Sequence, residues 1–275
     1  MTVVHPYEKY IRPSAIRTTN CPGCGNGILA QSLLRAIDEE SLDMDDFVFV
    51  SGIGCAAWIP SPFFHADILH TTHGRPIAFA TGVKLAMPDR RVMVVSGDGD
   101  LLAIGGNHFI HAARRNITMT VICVNNSIYG MTGGQVAPTT PIGLKTMTSP
   151  YGNVENSFDI CGLVAAAGAT FVARWTVFHA LQITRTVKKA LHHRGFSCIE
   201  IISQCPVQFG RKSGMGNTTR MFDYYKENSV TVKKASDMSE DELTDKIIVG
   251  EFVENEKPAL DEELARLRKH LREGN

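Results

Sequence analysis

The chain has 275 residues, with 28 basic and 28 acidic side chains and hence a formal charge of zero. That balance excludes the basic footprint of a nucleic-acid binder. The absence of any apolar run of bilayer length excludes a membrane-spanning helix. No charged stretch followed by an apolar one marks a secretory leader, so a cytoplasmic chain of one large or two small domains is expected.

Residues 1–20 have no periodicity, and His5-Pro6-Tyr7 and Arg12-Pro13-Ser14 suggest an arm lying over another surface. Cys21-Pro22-Gly23-Cys24-Gly25 follows, with two thiols that can share one metal or two corners of a cluster. Leu29, Leu33, Leu34 and Ile37 recur with a helical period over residues 28–39. Residues 47–50 read as a strand that ends at Ser51-Gly52-Ile53-Gly54-Cys55. Residues 65–75 are read as a loop holding His65, His70 and His73. His65 and His70 are expected to be merely solvated. His73-Gly74-Arg75 precedes a small-residue helix over 76–85 and is expected to present a functional imidazole.

The chain is organised around what comes next. Residues 91–96 form a short β-branched run, and Gly97-Asp98-Gly99-Asp100 stands at its carboxyl end. A helix is expected over 101–115 and a buried strand over 117–124, with Asn125-Asn126 closing that strand. This is a βαβ unit, whose strands are parallel and whose crossover is right-handed. Ligands of such sheets gather beyond the carboxyl ends of the strands. There the glycines let backbone N–H groups approach a phosphate. The Asp98 carboxylate, the Asn126 amide oxygen and the Ile128 carbonyl would supply three oxygens to the octahedron that Mg²⁺ demands.

Beyond the second strand, residues 127–135 form a glycine-rich loop. Residues 136–151 form a long loop, of a length that is usually functional. A helix is expected over 159–167, a strand over 170–173, an amphipathic helix over 178–193 and a buried strand over 196–202. The last runs into Ser203-Gln204-Cys205-Pro206. Residues 210–217 are basic and glycine-rich, and 221–228 are helical. From Ser236 on, 12 acidic residues stand against 6 basic ones. That shift divides the chain into a main unit, 1–235, and a charged extension, 236–275. The extension should hold a strand near 246–252 and a Leu-striped helix over 258–272.

Seven cysteines without a leader argue against a disulfide framework. Cys123, Cys161 and Cys198 fall inside elements and read as core thiols. Cys21, Cys24, Cys55 and Cys205 fall where one rim of a parallel sheet can gather them. Their spacing leaves two rivals, a structural zinc and a [4Fe–4S] cluster.

Taken together, the motifs resemble the β subunit of the 2-oxoacid:ferredoxin oxidoreductases, most closely the branch that acts on 2-oxoglutarate. The residues that carry the resemblance span Cys21 to about Asn228. They are the Cys-Pro-Gly-Cys-Gly start, Gly52-Ile53-Gly54-Cys55, His73-Gly74-Arg75, Gly97-Asp98-Gly99-Asp100, Gly105-Gly106-Asn107-His108, Ile128-Tyr129-Gly130-Met131-Thr132 with Gly134-Gln135, and Gln204-Cys205-Pro206. The resemblance implies an α/β fold, a parallel sheet with helices on both faces that binds thiamine diphosphate. It implies that Cys21, Cys24, Cys55 and Cys205 hold one [4Fe–4S] cluster. Asp98, Asn126 and Ile128 would hold Mg²⁺, and Gly99 and Asp100 would meet the diphosphate. Ile53, Gly54, Cys55, Ala56, His73, Gly130 and Met131 would line the cofactor, with His73 the catalytic candidate.

The activity implied is coenzyme A-dependent oxidative decarboxylation of 2-oxoglutarate, with electrons leaving singly to ferredoxin. Pyruvate and branched-chain or aryl 2-oxoacids are the alternative substrates. A zinc-stabilised binding subunit and a non-redox thiamine decarboxylase are rivals of another class. No glutamate that could engage the aminopyrimidine is evident, so an α subunit with the pyrimidine-binding domain is expected as partner. Two departures stand out: the family commonly has a lysine where this chain has Gly133 and a basic residue where it has Trp58. Recognition of the substrate carboxylate would then rest on other residues or on the partner.

Overall fold

The strands of this chain are apolar on both faces because helices cover both. In β1 (Phe47–Ser51), Phe47 and Phe49 point to one side and Val48 and Val50 to the other, all of them buried. The same alternation runs through β3 (Arg91–Gly97), β4 (Met119–Asn125) and, beyond it, Phe196–Ile202. On the first face α1 (Asn26–Glu39) buries Leu29, Leu33 and Ile37 against Phe49, Met93 and Val95. Burying three such side chains contributes about 5–9 kcal/mol of gross stabilisation. On the second face lie α2 (Pro76–Ala86) and α3 (Gly106–Arg115).

The computed structural model describes residues 5–14 and 18–274. Between α1 and α3 it holds one element that hydropathy does not announce, the edge strand β2 (Asp67–His70). This strand pairs parallel with β1 but is only half-buried, so its side chains lack the apolar run that marks the inner strands. The chain continues through α4 (Ile160–Ala166), β5 (Phe171–Thr176), α5 (Ala180–His192), β6 (Phe196–Ile202), α6 (Thr218–Asn228) and the short β7 (Ser229–Thr231). It ends with α7 (Val232–Ala235), α8 (Glu240–Leu243), β8 (Ile247–Glu254) and α9 (Leu260–Glu273). The eight strands lie in the order β2-β1-β3-β4-β6-β5-β8-β7. All neighbours are parallel except β5 and β8, which are antiparallel with a register shift between Val172 and Ala173. Within 236–275 the expected strand is therefore β8, hydrogen-bonded into the sheet, and the expected helix is α9.

Part of the N-terminal arm, residues 1–4 and 15–17, lies outside the described residues. Arg12 anchors the rest, donating to the carbonyls of Phe64 (2.8 Å) and Ala66 (2.6 Å). The helix expected from 101 begins differently. Gly99–Ile104 forms a wide π-type turn before α3 starts at Gly106. Such turns accompany functional sites, and this one lies directly after Asp98.

Candidate functional site

Asp98, Asn126, Cys55 and Cys205 each stand just beyond the carboxyl end of a strand: β3, β4, β1 and β6 in turn. One cleft on this rim is lined by Ile53, Gly54, Cys55, Ala56, His73, Gly97, Asp98, Gly99, Asp100, Asn126, Ile128, Tyr129, Gly130 and Met131. The residues singled out from the βαβ motif and those that the resemblance assigns to the thiamine cofactor thus line one cavity, with Cys55 the one rim cysteine among them. A far larger concavity, about 960 Å³ against about 80 Å³, lies at the amino-terminal ends of β5 and β6. Its cations are mostly committed: Lys188 to Glu39 and Glu40, Lys189 to Glu251 and Glu254, His192 to Glu40. The chemistry-bearing groups are in the small cleft.

Asp98 is 3% exposed. Burial pushes its carboxyl up to about 6, and the Glu200 charge adds to the rise, while hydrogen bonds from the Thr139 hydroxyl and the Gly99 N–H oppose it. The Thr139 hydroxyl donates to Oδ2. An ionised carboxylate in such a site calls for a cation. Asn126 Oδ1 accepts from Ile128 N at 3.2 Å and retains a second lone pair. The donor set is all oxygen, as a hard cation requires. Among the described residues no group of three or more His, Cys, Asp and Glu side chains is disposed to hold a metal ion. The oxygens gathered here are one carboxylate, one amide and one carbonyl.

Asp100 has a different role from its neighbour. Its carboxylate is turned into the protein. Oδ1 accepts from Gly74 N at 2.7 Å, and Oδ2 accepts from Ser96 Oγ at 2.5 Å. Gly52 has to be glycine, since a Cβ there would come within 1.8 Å of Asp100 Oδ2. His73 Nδ1 stands 2.5 Å from Asp100 Oδ1, without the alignment of a hydrogen bond. Asp100 thereby ties the loops after β1, β2 and β3 together and turns the other imidazole nitrogen of His73 away from itself. His70, expected to be solvated, has Nδ1 3.1 Å from Ser51 Oγ, although its side chain is exposed.

The cysteines divide as the element pattern suggests. Cys123, Cys161 and Cys198 are buried in the core. Cys21, Cys24, Cys55 and Cys205 are exposed or half-buried and close enough to feel one another electrostatically. Burial, reinforced by the neighbouring sulfurs, pushes Cys24 and Cys55 up to about 11. Thiolates in such company need strong positive charge between them. A Cβ at Gly130 would lie 3.4 Å from Cys205 Sγ and 4.0 Å from Cys55 Sγ, so the absence of a side chain keeps the space beside these sulfurs open. Gly130 also lines the cleft, so the thiol group and the cleft adjoin. Gln204 holds the group together: its backbone carbonyl accepts from Gly25 N at 3.1 Å and its side chain donates to Gly23 O at 3.2 Å.

Several residues of the site are not evident from the sequence. Tyr129 donates to Gly99 O at 3.0 Å and covers the turn. Thr139 and Thr140 reach back from the long loop to Asp98 and to Ser127 O (2.7 Å), while Asn153 and Ser157 grip Thr140 O, each at 2.8 Å. The one available signal is the hydroxyl-rich run Pro138-Thr139-Thr140-Pro141. Lys212, from the basic glycine-rich stretch, donates to Gly133 O (2.9 Å) and Gly134 O (3.1 Å). An ammonium therefore does sit at the loop where the family pattern has a lysine, supplied from elsewhere in the chain. Trp58 packs near His70, with ring centres 6.2 Å apart.

The sequence matches the family model described as "Thiamine pyrophosphate enzyme, C-terminal TPP binding domain" over residues 52–201. It is 54% identical over 269 residues to the 2-oxoglutarate synthase subunit KorB of Methanocaldococcus jannaschii, covering 98% of this chain and 99% of that one. The corresponding figures for the protein of the same name from Archaeoglobus fulgidus are 45% identity, 98% and 96%. Among solved structures, the 2-oxoglutarate:ferredoxin oxidoreductase from Magnetococcus marinus, with 2-oxoglutarate, coenzyme A and succinyl-CoA bound, is similar at a TM-score of 0.86. Identity is 33%, and the match covers 98% of this chain and 92% of that chain. Among the described residues no helix is long and apolar enough to cross a membrane.

Proposed function

We infer the chemistry of the cleft from one premise: this chain belongs to the thiamine diphosphate enzymes, as a β subunit of the 2-oxoglutarate:ferredoxin oxidoreductases. The reaction is the conversion of 2-oxoglutarate and coenzyme A to succinyl-CoA and CO₂, with two electrons passed one at a time to two ferredoxins. Thiamine diphosphate, when bound, supplies the electron sink for decarboxylation, and an adjoining [4Fe–4S] cluster supplies a one-electron exit.

The observation that carries the residue assignments is convergence at Gly130. It lines the cleft with Asp98 and Asn126, and it lies against the sulfurs of Cys55 and Cys205. In our reading Asp98 Oδ1, Asn126 Oδ1 and the Ile128 carbonyl hold Mg²⁺. The backbone around Gly99 and Asp100 meets the diphosphate. Cys21, Cys24, Cys55 and Cys205 hold the cluster. Ile53 and Met131, 38% and 48% exposed, present apolar surface to the thiazolium side and keep water from it. Asp100 orients His73, whose free nitrogen handles a proton or stabilises charge at the reacting centre.

The matched family model is a cofactor-binding C-terminal domain, and the named relatives are subunits. An α subunit therefore completes the site with the pyrimidine-binding half, and ferredoxin and coenzyme A join the complex. Residues 1–235 form the cofactor-binding unit, to which 236–275 add α9 and the strand β8, which lies between β5 and the edge strand β7. Seven free cysteines and a labile cluster fit the reducing cytoplasm.

The test is an anaerobic visible spectrum and iron count on the chain purified with its partner. Brown protein with about four irons per chain, bleached by 2-oxoglutarate with coenzyme A, is expected. Bleaching by pyruvate alone would overturn the substrate, and colourless zinc-bearing protein would overturn the redox reading.

A further inference from the structure

Glu200 is a carboxylate in the middle of the sheet. It lies on β6, paired in register with Cys123 of β4, and is 2% exposed on the sheet face of Cys198, with Cys161 Sγ 3.4 Å from its Oε2. A buried ion pair is a poor source of stability, because desolvation offsets the attraction. Something other than stability therefore accounts for it.

Its two oxygens are fully used. Oε2 accepts from Arg174 Nε at 2.7 Å, and Arg174 Nη2 continues to Asp159 Oδ1 at 2.5 Å. Oε1 accepts from Asn125 Nδ2 at 2.8 Å. A carboxylate only accepts, so it fixes which way the Asn125 amide faces. Asn125 Oδ1 then points away from Glu200 and accepts from Ser127 N at 3.0 Å and Ser127 Oγ at 3.2 Å. Ser127 has a φ of 58°, in the left-handed region. For a non-glycine residue this conformation costs roughly 1–2 kcal/mol and needs outside support. That support comes from Asn125 on one side and from Thr140 Oγ1, 2.7 Å from Ser127 O, on the other. Asn126 and Ile128, which flank Ser127, owe their orientation to this turn.

We propose that Glu200 and Arg174 are a positioning pair for the metal-binding turn. Glu200 sets the Asn125 amide, Asn125 holds Ser127 left-handed, and Ser127 presents Asn126 and Ile128 to the magnesium diphosphate. This rests on the reading of the cleft given above. Neither Glu200 nor Arg174 touches the cofactor.

The experiment measures the Mg²⁺ concentration that half-saturates thiamine diphosphate binding, by calorimetry on the complex of the full chain with its partner. E200Q puts an amide N–H₂ against a donor on one side or the other. The double variant E200L/R174L removes the pair without stranding a charge. Both are expected to raise the Mg²⁺ requirement by roughly tenfold to a hundredfold, as loss of outer-shell support does, with the double variant melting near the native temperature. R174K, which keeps the charge, should restore most of the affinity. S127G added to E200L/R174L should recover part of it, because glycine adopts the left-handed turn unaided. An unchanged Mg²⁺ requirement in E200L/R174L, or no recovery with S127G, would overturn the proposal. If native protein bound thiamine diphosphate with no Mg²⁺ dependence, the reading of the cleft itself would fall instead.

Discussion

The Thr139 hydroxyl donates to Asp98 Oδ2, across 41 residues of sequence. This bond joins the long loop after β4 to the carboxylate after β3. It occupies one of the two Asp98 oxygens, so in the proposed magnesium site Thr139 orients the carboxylate toward the cation. A hydrogen bond to a charged group is worth about 1.5–3 kcal/mol. Thr139→Val should therefore weaken Mg²⁺-dependent binding of thiamine diphosphate by roughly tenfold to a hundredfold, read by calorimetry. Asp98→Asn should abolish the Mg²⁺ dependence altogether. If T139V bound both as native protein does, the orienting role would be lost.

The cysteines make a sharper contrast, because two sets of thiols differ only in where they stand. Cys55→Ser and Cys205→Ser should strip iron and visible absorbance from the complex. Cys198→Ala should cost about 1 kcal/mol of stability for the lost sulfur and leave the iron content at the native level. Iron retained in full by both serine variants would remove these residues from the cluster.

How much of this was legible in the sequence follows from what each feature depends on. The inner strands and α1 carry local periodicity, so Phe47, Val48 and Leu33 announce their own elements. β2 does not, because an edge strand with one half-exposed face has no apolar run to display. The glycines, Asp98, Asn126 and the four rim cysteines stand out in the sequence because the roles proposed for them call for fixed types at fixed spacings. Thr139, Lys212 and Glu200 are not. Each acts through a partner at least 41 residues away, and a threonine, a lysine or a glutamate carries no spacing that names that partner. The role of Asp100 was half visible: its place in the motif is plain, but only the fold reveals that its carboxylate binds Gly74 and Ser96.

Lys212 holds the loop whose residues Gly130, Met131 and Thr132 line the cleft. Its ammonium meets the carbonyls of Gly133 and Gly134, whose φ values of 110° and 92° lie where glycine is favoured. Lys212→Met keeps the stem and removes both bonds. The variant should raise the KM for 2-oxoglutarate several-fold, since substrate must then order the loop itself. Proteolytic nicking between residues 130 and 136 should also become faster. A native KM together with native resistance to protease would show that the loop holds without Lys212.

His179 gives the chain a pH dependence that owes nothing to the cleft. It follows β5, with Nδ1 2.9 Å from the Thr176 hydroxyl and its ring 5.4 Å from that of Trp175. Burial lowers its pKa from the ordinary 6.5, against a smaller opposing effect of a hydrogen bond with the Thr176 backbone. His193 is lowered likewise by burial, with Glu254 and Glu256 opposing. Both imidazoles thus stay neutral in the fold at a pH where the unfolded chain takes up protons. Stability from this source is complete above pH 6.5 and is lost as the pH falls below it. The urea midpoint, followed by tryptophan fluorescence, should therefore fall between pH 7 and pH 5.5. His179→Gln, which can keep a bond to Thr176 without titrating, should flatten that fall, and the double variant with His193→Gln should flatten it further. An equal slope in native and double-variant protein would assign the acid sensitivity to other groups.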